Sequence, residues 1–452
     1  MPGVSGLRPP GPRARTPLGH LLAFRRDVVG FLSSVAAEYG DVAWFKVGPI
    51  GVALLNHPDY VRDVLQTNHR NFVKGRPLQL ARRLLGEGLL TSEGHVHQRQ
   101  SRIVQPAFHA ERIQAYGAVM TDCAVRWSAR WSDGATLDML REMTSLATAI
   151  AGRTMFHWDV DSTAACGIGG ALADAMSLFS RASIPFAELL LKLPLPSTRR
   201  FYRAKARLDA LIYGLIAERR HEGGDRDRGD LLSMLLLAHD TQGNGTRMTD
   251  TQVRDEALTL FLTALDTTSL ALTWTWFLLS EHPTVEVELH AEIDRALRGR
   301  VPTIADIEHL PYTRMVFSEA MRLYPPIYAI ARQAIAPYAI GPYTVPAGTL
   351  VLLSPYVMHR DPRYYPDPGR FDPQRWSAQA TPRPPKFAYF PFGGGPRGCI
   401  GQSYAMQEAV LVLATLARHW RMRLAPEHPV AFEPLINLRP KHGMRMVLER
   451  RR

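Results

Sequence analysis

The longest apolar stretch of the chain follows Thr249 and predicts a long buried helix. Thr249 and Gln252 have the spacing of a capping box, and no proline follows until Pro283, so some thirty residues are predicted to be helical. A helix that is apolar nearly all round runs through a protein core or a bilayer. Asp266 lies at its centre, and a carboxylate there costs about 3 kcal/mol on membrane insertion, which favours the core. The apolar positions are Leu258, Leu260, Phe261, Leu262, Leu265, Leu270, Leu272, Trp274, Trp276 and Phe277.

Shorter patterns elsewhere predict strands and a helix start. Residues Asp41–Leu55 alternate between apolar and polar positions around a Gly-Pro pair, which is typical of two strands joined by a turn. Tyr343–Ser354 also alternates like a strand, and Pro58 marks the first turn of a helix. Ile184–Pro196 is apolar, but its prolines prevent one continuous helix. Helices and short strands are therefore both predicted.

Length and composition limit the class of protein. A chain of 452 residues corresponds to about three domains of ordinary size. No linker, repeat or low-complexity tract divides it, however, so one large domain remains possible. The three cysteines, Cys123, Cys166 and Cys399, indicate a reducing compartment rather than a disulfide framework. Met1–Pro12 lacks an apolar core of signal-peptide length, which predicts a cytoplasmic protein without a membrane anchor.

The chain is basic, with a net charge of +12 from 54 Lys and Arg against 42 Asp and Glu. The positive residues are scattered, and no basic arm or aromatic-interleaved patch of a nucleic-acid-binding protein is present in the sequence. An acidic protein partner fits this charge better, because complementary potentials speed encounter. The alternative is a surface that is simply rich in arginine.

A glycine-rich stretch, Phe392–Gly401, surrounds the single cysteine Cys399 and precedes a predicted helix over Gln402–Trp420. Glycines let the backbone approach a large flat group closely. The start of a helix favours a thiolate over a thiol, and a thiolate is an axial ligand for haem iron. The alternative is a turn with an incidental buried cysteine, which is the more common role of a lone cysteine.

This stretch resembles the haem-binding loop of the cytochrome P450 family at Phe392, Gly393, Gly395, Arg397, Cys399 and Gly401. The resemblance implies haem b as cofactor, with Cys399 as the iron ligand. It also implies a mainly α fold with a small β lobe (α+β), in which haem lies between the long central helix and the helix after the cysteine loop. One domain over residues 1–452 is expected, with residues 1–20 as a flexible lead.

Thr263–Thr268 resembles the oxygen-activation motif of the same family, with Ala264 at a position where glycine is more common. The resemblance implies that Asp266 relays protons and that Thr267 holds the reacting oxygen species or a water by hydrogen bond. Both residues are thus candidate catalytic residues. Threonines in helices also bond back to their own carbonyls without any chemical role.

Glu319 and Arg322 lie three residues apart on a predicted helix, a spacing that usually gives a weak surface ion pair. Phe371–Trp376 resembles the family segment whose arginine completes a buried triad. The resemblance implies that Glu319, Arg322 and Arg375 together hold the segment before the haem loop.

The resemblance also assigns residues around the haem. It implies that His97 and Arg332 bind the propionates, whereas Ser101 stands where the family often has arginine. Arg102 or Arg99 is then a candidate replacement, and Arg99 is equally a candidate to face a redox partner. Ile184–Pro196 matches the family's mobile lid. The expected substrate pocket consists of Thr263, Ala264, Ile327, Tyr328, Ile330 and Ile436.

Taken with the family resemblance, these residues imply a haem-thiolate monooxygenase that inserts one oxygen atom from O₂ into a lipophilic small molecule. A terpenoid is favoured, with fatty acids and polyketides as rivals. Electrons are expected from an acidic ferredoxin-type or flavodoxin-type donor, with no nucleic acid involved and the protein as a monomer. The alternatives are a haem-thiolate peroxygenase or isomerase without a redox partner, and a haem-based ligand sensor.

Overall fold

The computed structural model describes residues 7–159, 167–171, 174, 193, 195–223, 226–238 and 247–451. Most of the segment expected to act as a lid, 184–192 and 194, lies outside the described residues. The helices are α1 (Leu21–Arg26), α2 (Val28–Tyr39), α3 (Pro58–Arg62), α4 (Arg76–Leu85), α5 (Gly94–Val104), α6 (Ala110–Ser128), α7 (Met139–Phe156), α8 (Pro196–His221), α9 (Leu231–Leu237), α10 (Asp250–Glu281), α11 (Pro283–Leu297), α12 (Pro311–Leu323), α13 (Pro355–Met358) and α14 (Gln402–Ala417).

The strands form small sheets beside these helices. They are β1 (Val42–Val47), β2 (Ile50–Leu55), β3 (Phe72–Lys74), β4 (Thr136–Asp138), β5 (Ile330–Ala334), β6 (Tyr338–Ile340), β7 (Tyr343–Val345), β8 (Leu350–Leu353), β9 (Trp420–Leu424), β10 (Phe432–Pro434), β11 (Leu438–Pro440) and β12 (Arg445–Arg450). The largest sheet has the order β1-β2-β8-β5-β3, with β2 and β8 parallel. The smaller sheets are β4-β12-β9, β6-β7 and β10-β11. The predicted class, mainly helical with a small β lobe, is confirmed.

Local chemistry sets several element ends where the sequence predicts them. The hairpin predicted within Asp41–Leu55 forms as β1 and β2. The Thr249 backbone N–H donates to the side chain of Gln252 at 2.9 Å, and the Gln252 N–H donates to Thr249 Oγ1 at 3.3 Å, completing the capping box of α10. Pro58 opens α3 and Pro283 opens α11, where a missing N–H costs nothing.

Helix α10 is the core of the fold and packs against α7, α8 and α12. By length and composition it passes the test for a membrane span, yet 83% of its most apolar stretch is buried inside the protein. This burial is what a core helix shows. From Val253 to Trp276 all its residues are buried except Thr263, Ala264 and Thr267, which share one face.

The described part of the N-terminal segment lies along the β lobe. The Trp44 N–H donates to the Pro10 carbonyl at 2.7 Å, and the Thr344 N–H donates to the Leu7 carbonyl at 3.0 Å. The His20 N–H donates to the Lys46 carbonyl at 2.7 Å. Residues 7–20 therefore contact the lobe through defined backbone hydrogen bonds. The apolar and aromatic residues that follow, in α1 and α2, pack on β1.

Candidate active site

The glycine-rich stretch forms a compact loop that places Cys399 just before α14. The Cys399 N–H donates to the Phe392 carbonyl at 2.9 Å, and the Gly398 N–H donates to the Gly395 carbonyl at 3.0 Å. Cys399 is exposed, although protein atoms crowd around its sulfur. This crowding raises the pKa of the thiol, while a hydrogen bond from the Gly401 backbone lowers it. The helix start therefore favours the thiolate less than expected, because loss of water around the sulfur is the larger effect.

Gly395 fixes the position of the loop against the segment Asp63–Thr67, which is one turn of π-helix. Its φ is +65°, and a Cβ there would lie 1.9 Å from the Leu65 carbonyl oxygen. Only glycine permits this approach. Gly393 also has a positive φ, +69°, but a Cβ there would lie 3.7 Å from Ile330 Cδ1, an ordinary contact. Ile330, a predicted pocket residue, thus lies beside the loop.

Four basic side chains converge between this loop, the β lobe and α5. Lys74 and Arg332 are directly opposed in the antiparallel pair β3–β5, and both are buried, as is His97 on α5. Arg397 forms an ion pair with Glu93 and donates to the Ser92 carbonyl at 2.8 Å. The fold therefore brings together His97, Arg332 and Arg397, which are 235 and 65 residues apart in sequence.

Burial and neighbouring positive charges lower the pKa values of the basic groups in this cluster. Burial, with Arg332 and Arg397 nearby, lowers the pKa of Lys74 to about 7. Burial, with Arg397 and Lys74 nearby, lowers the pKa of His97 to about 3. Burial and Arg397 lower the pKa of Arg332 to about 10. Glu93 raises the pKa values of Lys74, Arg332 and Arg397, so three basic side chains in this cluster face one carboxylate.

The sequence did not single out Lys74. Lysines are rarely buried, and its burial becomes visible only when β3 pairs with β5. Ser101 stands where the family often has an arginine and carries no charge. Lys74 instead supplies a basic group beside His97. The charges acting on the pKa of His97 are those of Arg397 and Lys74, and Arg102 is exposed on α5.

Asp266 and Thr267, the acid and the alcohol of α10, have different hydrogen-bond partners. Thr267 Oγ1 donates to the Thr263 carbonyl at 2.8 Å, the back-bond that the sequence left open as an alternative. Its oxygen keeps lone pairs that can accept a hydrogen bond. Asp266 is buried, forms an ion pair with Arg439 and accepts a hydrogen bond from the Asn437 side chain. Sequence reasoning did not identify these two partners, which lie about 170 residues away.

The predicted pocket residues fall into two groups. Thr263 and Ala264 lie on the face of α10 that retains surface, and Ile436 packs against the same core as Ala264. Tyr328 instead packs with the apolar residues of the β lobe, and its hydroxyl donates to the Leu435 carbonyl at 3.0 Å. Burial raises the pKa of this phenol. Ile327 is half-buried beside it.

The predicted triad comes together behind the loop. Glu319 and Arg322 are both fully buried and 2.8 Å apart, and Arg375 Nε lies 3.4 Å from the Glu319 carboxylate. The Trp376 indole donates to Glu319 at 2.9 Å, and the Asp372 N–H donates to it at 3.0 Å. The Arg322 guanidinium donates to the carbonyls of His359, Pro368 and Arg370. The pair thus fixes the backbone of the segment that leads into the cysteine loop.

The donor set fits haem. A thiol lies just before α14, and a cluster of three basic side chains around one carboxylate lies beside the thiol loop, which suits two carboxylates on one flat group. The sequence profile of the family described as cytochrome P450 matches residues 9–444. The chain belongs to the cytochrome P450 family. Its cofactor is therefore haem b, and it is a monooxygenase.

Several curated relatives are similar to this P450 over nearly its whole length. Cyclooctatin synthase of Streptomyces melanosporofaciens is 41% identical, covering 93% of this chain and 91% of the relative. Cyclooctat-9-en-7-ol 5-monooxygenase of the same organism is 40% identical, covering 90% and 88%. Pentalenene oxygenase of Streptomyces avermitilis is 34% identical, covering 93% and 92%.

A solved structure confirms the fold of this P450. The structure described as retinoic acid bound cyanobacterial CYP120A1 matches with a TM-score of 0.86, covering 99% of this chain and 100% of that chain. The two sequences are 24% identical, so the likeness concerns the fold. The expectation of a P450 fold is thus confirmed by an independent comparison.

Proposed function

We propose that this P450 oxygenates a cyclic terpenoid, by hydroxylation or epoxidation. The observation that carries the proposal is the 41% and 40% identity to the cyclooctatin synthase and the cyclooctat-9-en-7-ol 5-monooxygenase over at least 90% of the chain. The candidate pocket side chains agree with it, because four of the six, Ala264, Ile327, Ile330 and Ile436, are apolar. An apolar pocket with few polar groups suits a compact hydrocarbon skeleton.

Cys399 is proposed as the iron ligand, and the basic cluster as the site of the haem carboxylates. Arg332, Arg397 and Lys74 would donate to these carboxylates, with His97 as an additional neutral donor because its pKa is far below 7. When bound, haem supplies the reductive activation of O₂ at its iron. Gly395 holds the loop against Leu65, so the cysteine stays fixed in position.

Asp266 is proposed to supply protons, and Thr267 is proposed to hold the water through which they pass. Thr267 Oγ1 already donates its own proton to the Thr263 carbonyl, so its oxygen is oriented to accept a hydrogen bond on the face that retains surface. Asp266 is the nearest carboxylate in sequence, and a proton on its Oδ atoms can pass to water held beside Thr267. Thr263 and Ala264 would set the width of the space in which the substrate lies.

An acidic ferredoxin or flavodoxin is proposed as the electron donor, and the protein is proposed to act as a cytoplasmic monomer. The net charge of +12 supports an acidic partner, because association between opposite charges is faster and depends on ionic strength. A peroxygenase or isomerase would need no such partner. Dependence of turnover on NADH and a surrogate reductase pair therefore separates these alternatives.

The proposal is tested with purified holoprotein and a panel of lipophiles of matched size. Cyclic diterpene and sesquiterpene hydrocarbons, their alcohols, and fatty acids are titrated while the shift of the Soret band is followed. We expect saturable shifts and oxygenated products from terpenoids only. Turnover of fatty acids in preference to every terpenoid would contradict the proposal.

The ligand assignment is tested by a matched pair of cysteine variants. Cys399→Ser should abolish the strongly red-shifted absorption of the reduced, carbon-monoxide-treated protein. Cys123→Ser should leave it unchanged, because Cys123 is buried beside Arg153 in the helical core. Retention of the band in Cys399→Ser would contradict the assignment.

A further inference from the structure

The hairpin β10–β11 carries a predicted pocket residue and both partners of Asp266 in one short run. Ile436 lies at its turn and is followed by Asn437 and, after one residue, by Arg439. The Asn437 side chain donates to Asp266 Oδ2, and the Arg439 guanidinium donates to Asp266 Oδ1. Both oxygens of the carboxylate are thus held by one hairpin.

The same hairpin is fixed on two further sides. Its Leu438 N–H donates to the Pro326 carbonyl at 2.8 Å, and its Leu435 carbonyl accepts the Tyr328 hydroxyl at 3.0 Å. The Leu438 carbonyl accepts the Trp274 indole N–H of α10 at 3.0 Å. The hairpin β10–β11 is therefore hydrogen-bonded both to the candidate pocket segment around Tyr328 and to the central helix α10.

Helical geometry points the side chains of Asp266 and Thr267 in different directions. Consecutive residues of a helix point about 100° apart. Thr267 shares the partly exposed face with Thr263 and Ala264, whereas Asp266 is buried against the hairpin. A buried carboxylate without partners would cost several kcal/mol, so Arg439 and Asn437 stabilise Asp266 in this orientation. Movement of the hairpin then changes the position of the acid relative to Thr267.

We propose that Arg439 and Asn437 are positioning residues for Asp266, and that their hairpin couples occupancy of the pocket beside Ile436 to proton supply. This inference rests on the proposed function of Asp266. A substrate that presses on Ile436 shifts the adjacent Asn437, because the two residues are consecutive in a tight turn. Displacement of Asn437 changes the hydrogen bond that it donates to Asp266, and with it the position of the carboxylate relative to Thr267.

The test uses Arg439→Gln, Asp266→Asn and the double variant in holoprotein, with the fraction of NADH consumption that yields product as readout. We expect Arg439→Gln to lower this coupling about tenfold, less than the ~100-fold that a 1 Å misplacement can cost, because Asn437 still holds Asp266. The double variant should match Asp266→Asn alone, because Arg439 acts only through Asp266. Arg439→Lys should restore most of the coupling, since a cation returns. Independent, multiplying effects of the two single variants would overturn the proposal.

Arg423→Gln is the matched control. Arg423 also joins a strand to a buried helical carboxylate, Glu286, at 2.7 Å, but on β9 and α11. Its loss should leave coupling unchanged while costing similar thermal stability. If Arg439→Gln fails to fold, Asn437→Ser, which removes the neutral donor only, is measured in its place, and full coupling in that variant would overturn the proposal.

Hydrogen exchange gives a readout that does not need turnover. In wild-type holoprotein a bound lipophile should change the exchange of the Leu438 amide at least threefold, and Arg439→Gln should speed this exchange without ligand. An unchanged Leu438 amide in both experiments would overturn the coupling through the hairpin. If no terpenoid is oxygenated but these exchange effects are found with another bound lipophile, the substrate proposal fails and the hairpin proposal stands.

Discussion

Lys74 and Arg332 face each other across β3 and β5 with both side chains buried, although like charges directly opposed in a sheet destabilise it. Arg397 adds a third cation from the cysteine loop, and the single carboxylate of Glu93 offsets only part of this charge. Three chain segments that are far apart in sequence thus place uncompensated positive charge at one point. A ligand with two carboxylates would lower the electrostatic cost of this arrangement.

This cluster predicts that haem retention depends on pH. Without the haem carboxylates the pKa of Lys74 is about 7, even with Glu93 nearby, so Lys74 loses its charge above that value. Carboxylates favour the charged form, so haem binding takes up a proton, and haem affinity should fall as pH rises from 7 toward 10, by up to about tenfold per unit. The rate of haem transfer to apomyoglobin measures this.

Lys74→Met should weaken haem retention at pH 7 by about tenfold, the loss of one charge-assisted contact, and flatten the pH dependence. Lys46→Met is the matched control, because Lys46 is a strand lysine exposed on β1. A pH profile that is the same in wild type and Lys74→Met would exclude Lys74 as the titrating group.

Thr267→Ala should keep the haem spectrum but divert reducing equivalents from product to hydrogen peroxide. The variant loses the hydroxyl oxygen that accepts a hydrogen bond, while the helix keeps its backbone bonds. We expect coupling to fall at least about tenfold, because a positioned group in a proton transfer typically contributes about 10²–10⁴-fold. Thr275→Ala is the control, since Thr275 makes the same back-bond, to Ala271 at 2.7 Å, two turns further on. Unchanged coupling in Thr267→Ala would remove this residue from the mechanism.

Glu319→Gln should destabilise the fold and reduce haem incorporation. The substitution leaves Arg322 as a fully buried cation without its charge partner, a loss of about 3–5 kcal/mol. Because Arg322 fixes three carbonyls of the segment before the cysteine loop, the loop should lose its position together with this pair. Thermal unfolding and haem content per chain measure both effects. Glu288→Gln, which changes an exposed carboxylate contacting Gln374 of the same region, should be neutral.

Comparing Gly395→Ala with Gly393→Ala distinguishes the effect of backbone strain on haem binding from the effect of a steric clash with Leu65. Both positions have positive φ, so each alanine costs about 1–2 kcal/mol. At Gly395 the new methyl group also meets the Leu65 carbonyl, and the loop must move. We therefore expect Gly393→Ala to retain haem and Gly395→Ala to lose most of it. Equal haem content in the two variants would show that the approach to Leu65 is not required.

Local sequence signals predicted the elements of the fold well. The Thr249–Gln252 capping box and Pro283 bracket α10, and the alternation within Asp41–Leu55 forms β1 and β2. Each of these signals acts between residues close in sequence. The parallel pairing of β2 with β8, by contrast, joins Val52 to Leu350, and no local pattern specifies such a partner.

The candidate site could be predicted only where a motif pointed to it. Cys399, Asp266 and Thr267 are in recognisable motifs, whereas Lys74, Asn437 and Arg439 matter because of what folding brings next to them. An arginine or asparagine in a short hairpin is normally a solvated residue, and nothing in its neighbours along the chain indicates a buried acid about 170 residues away.

The five-stranded sheet also constrains the order of events during synthesis. Its first two strands leave the ribosome early, but β8 and β5, which complete the sheet between β2 and β3, follow some 280 residues later. During most of translation the β2 edge of the β1–β2 hairpin therefore lacks its partner strand β8. The basic cluster closes later still, with Arg397, so a nearly finished polypeptide is required before cofactor capture can begin.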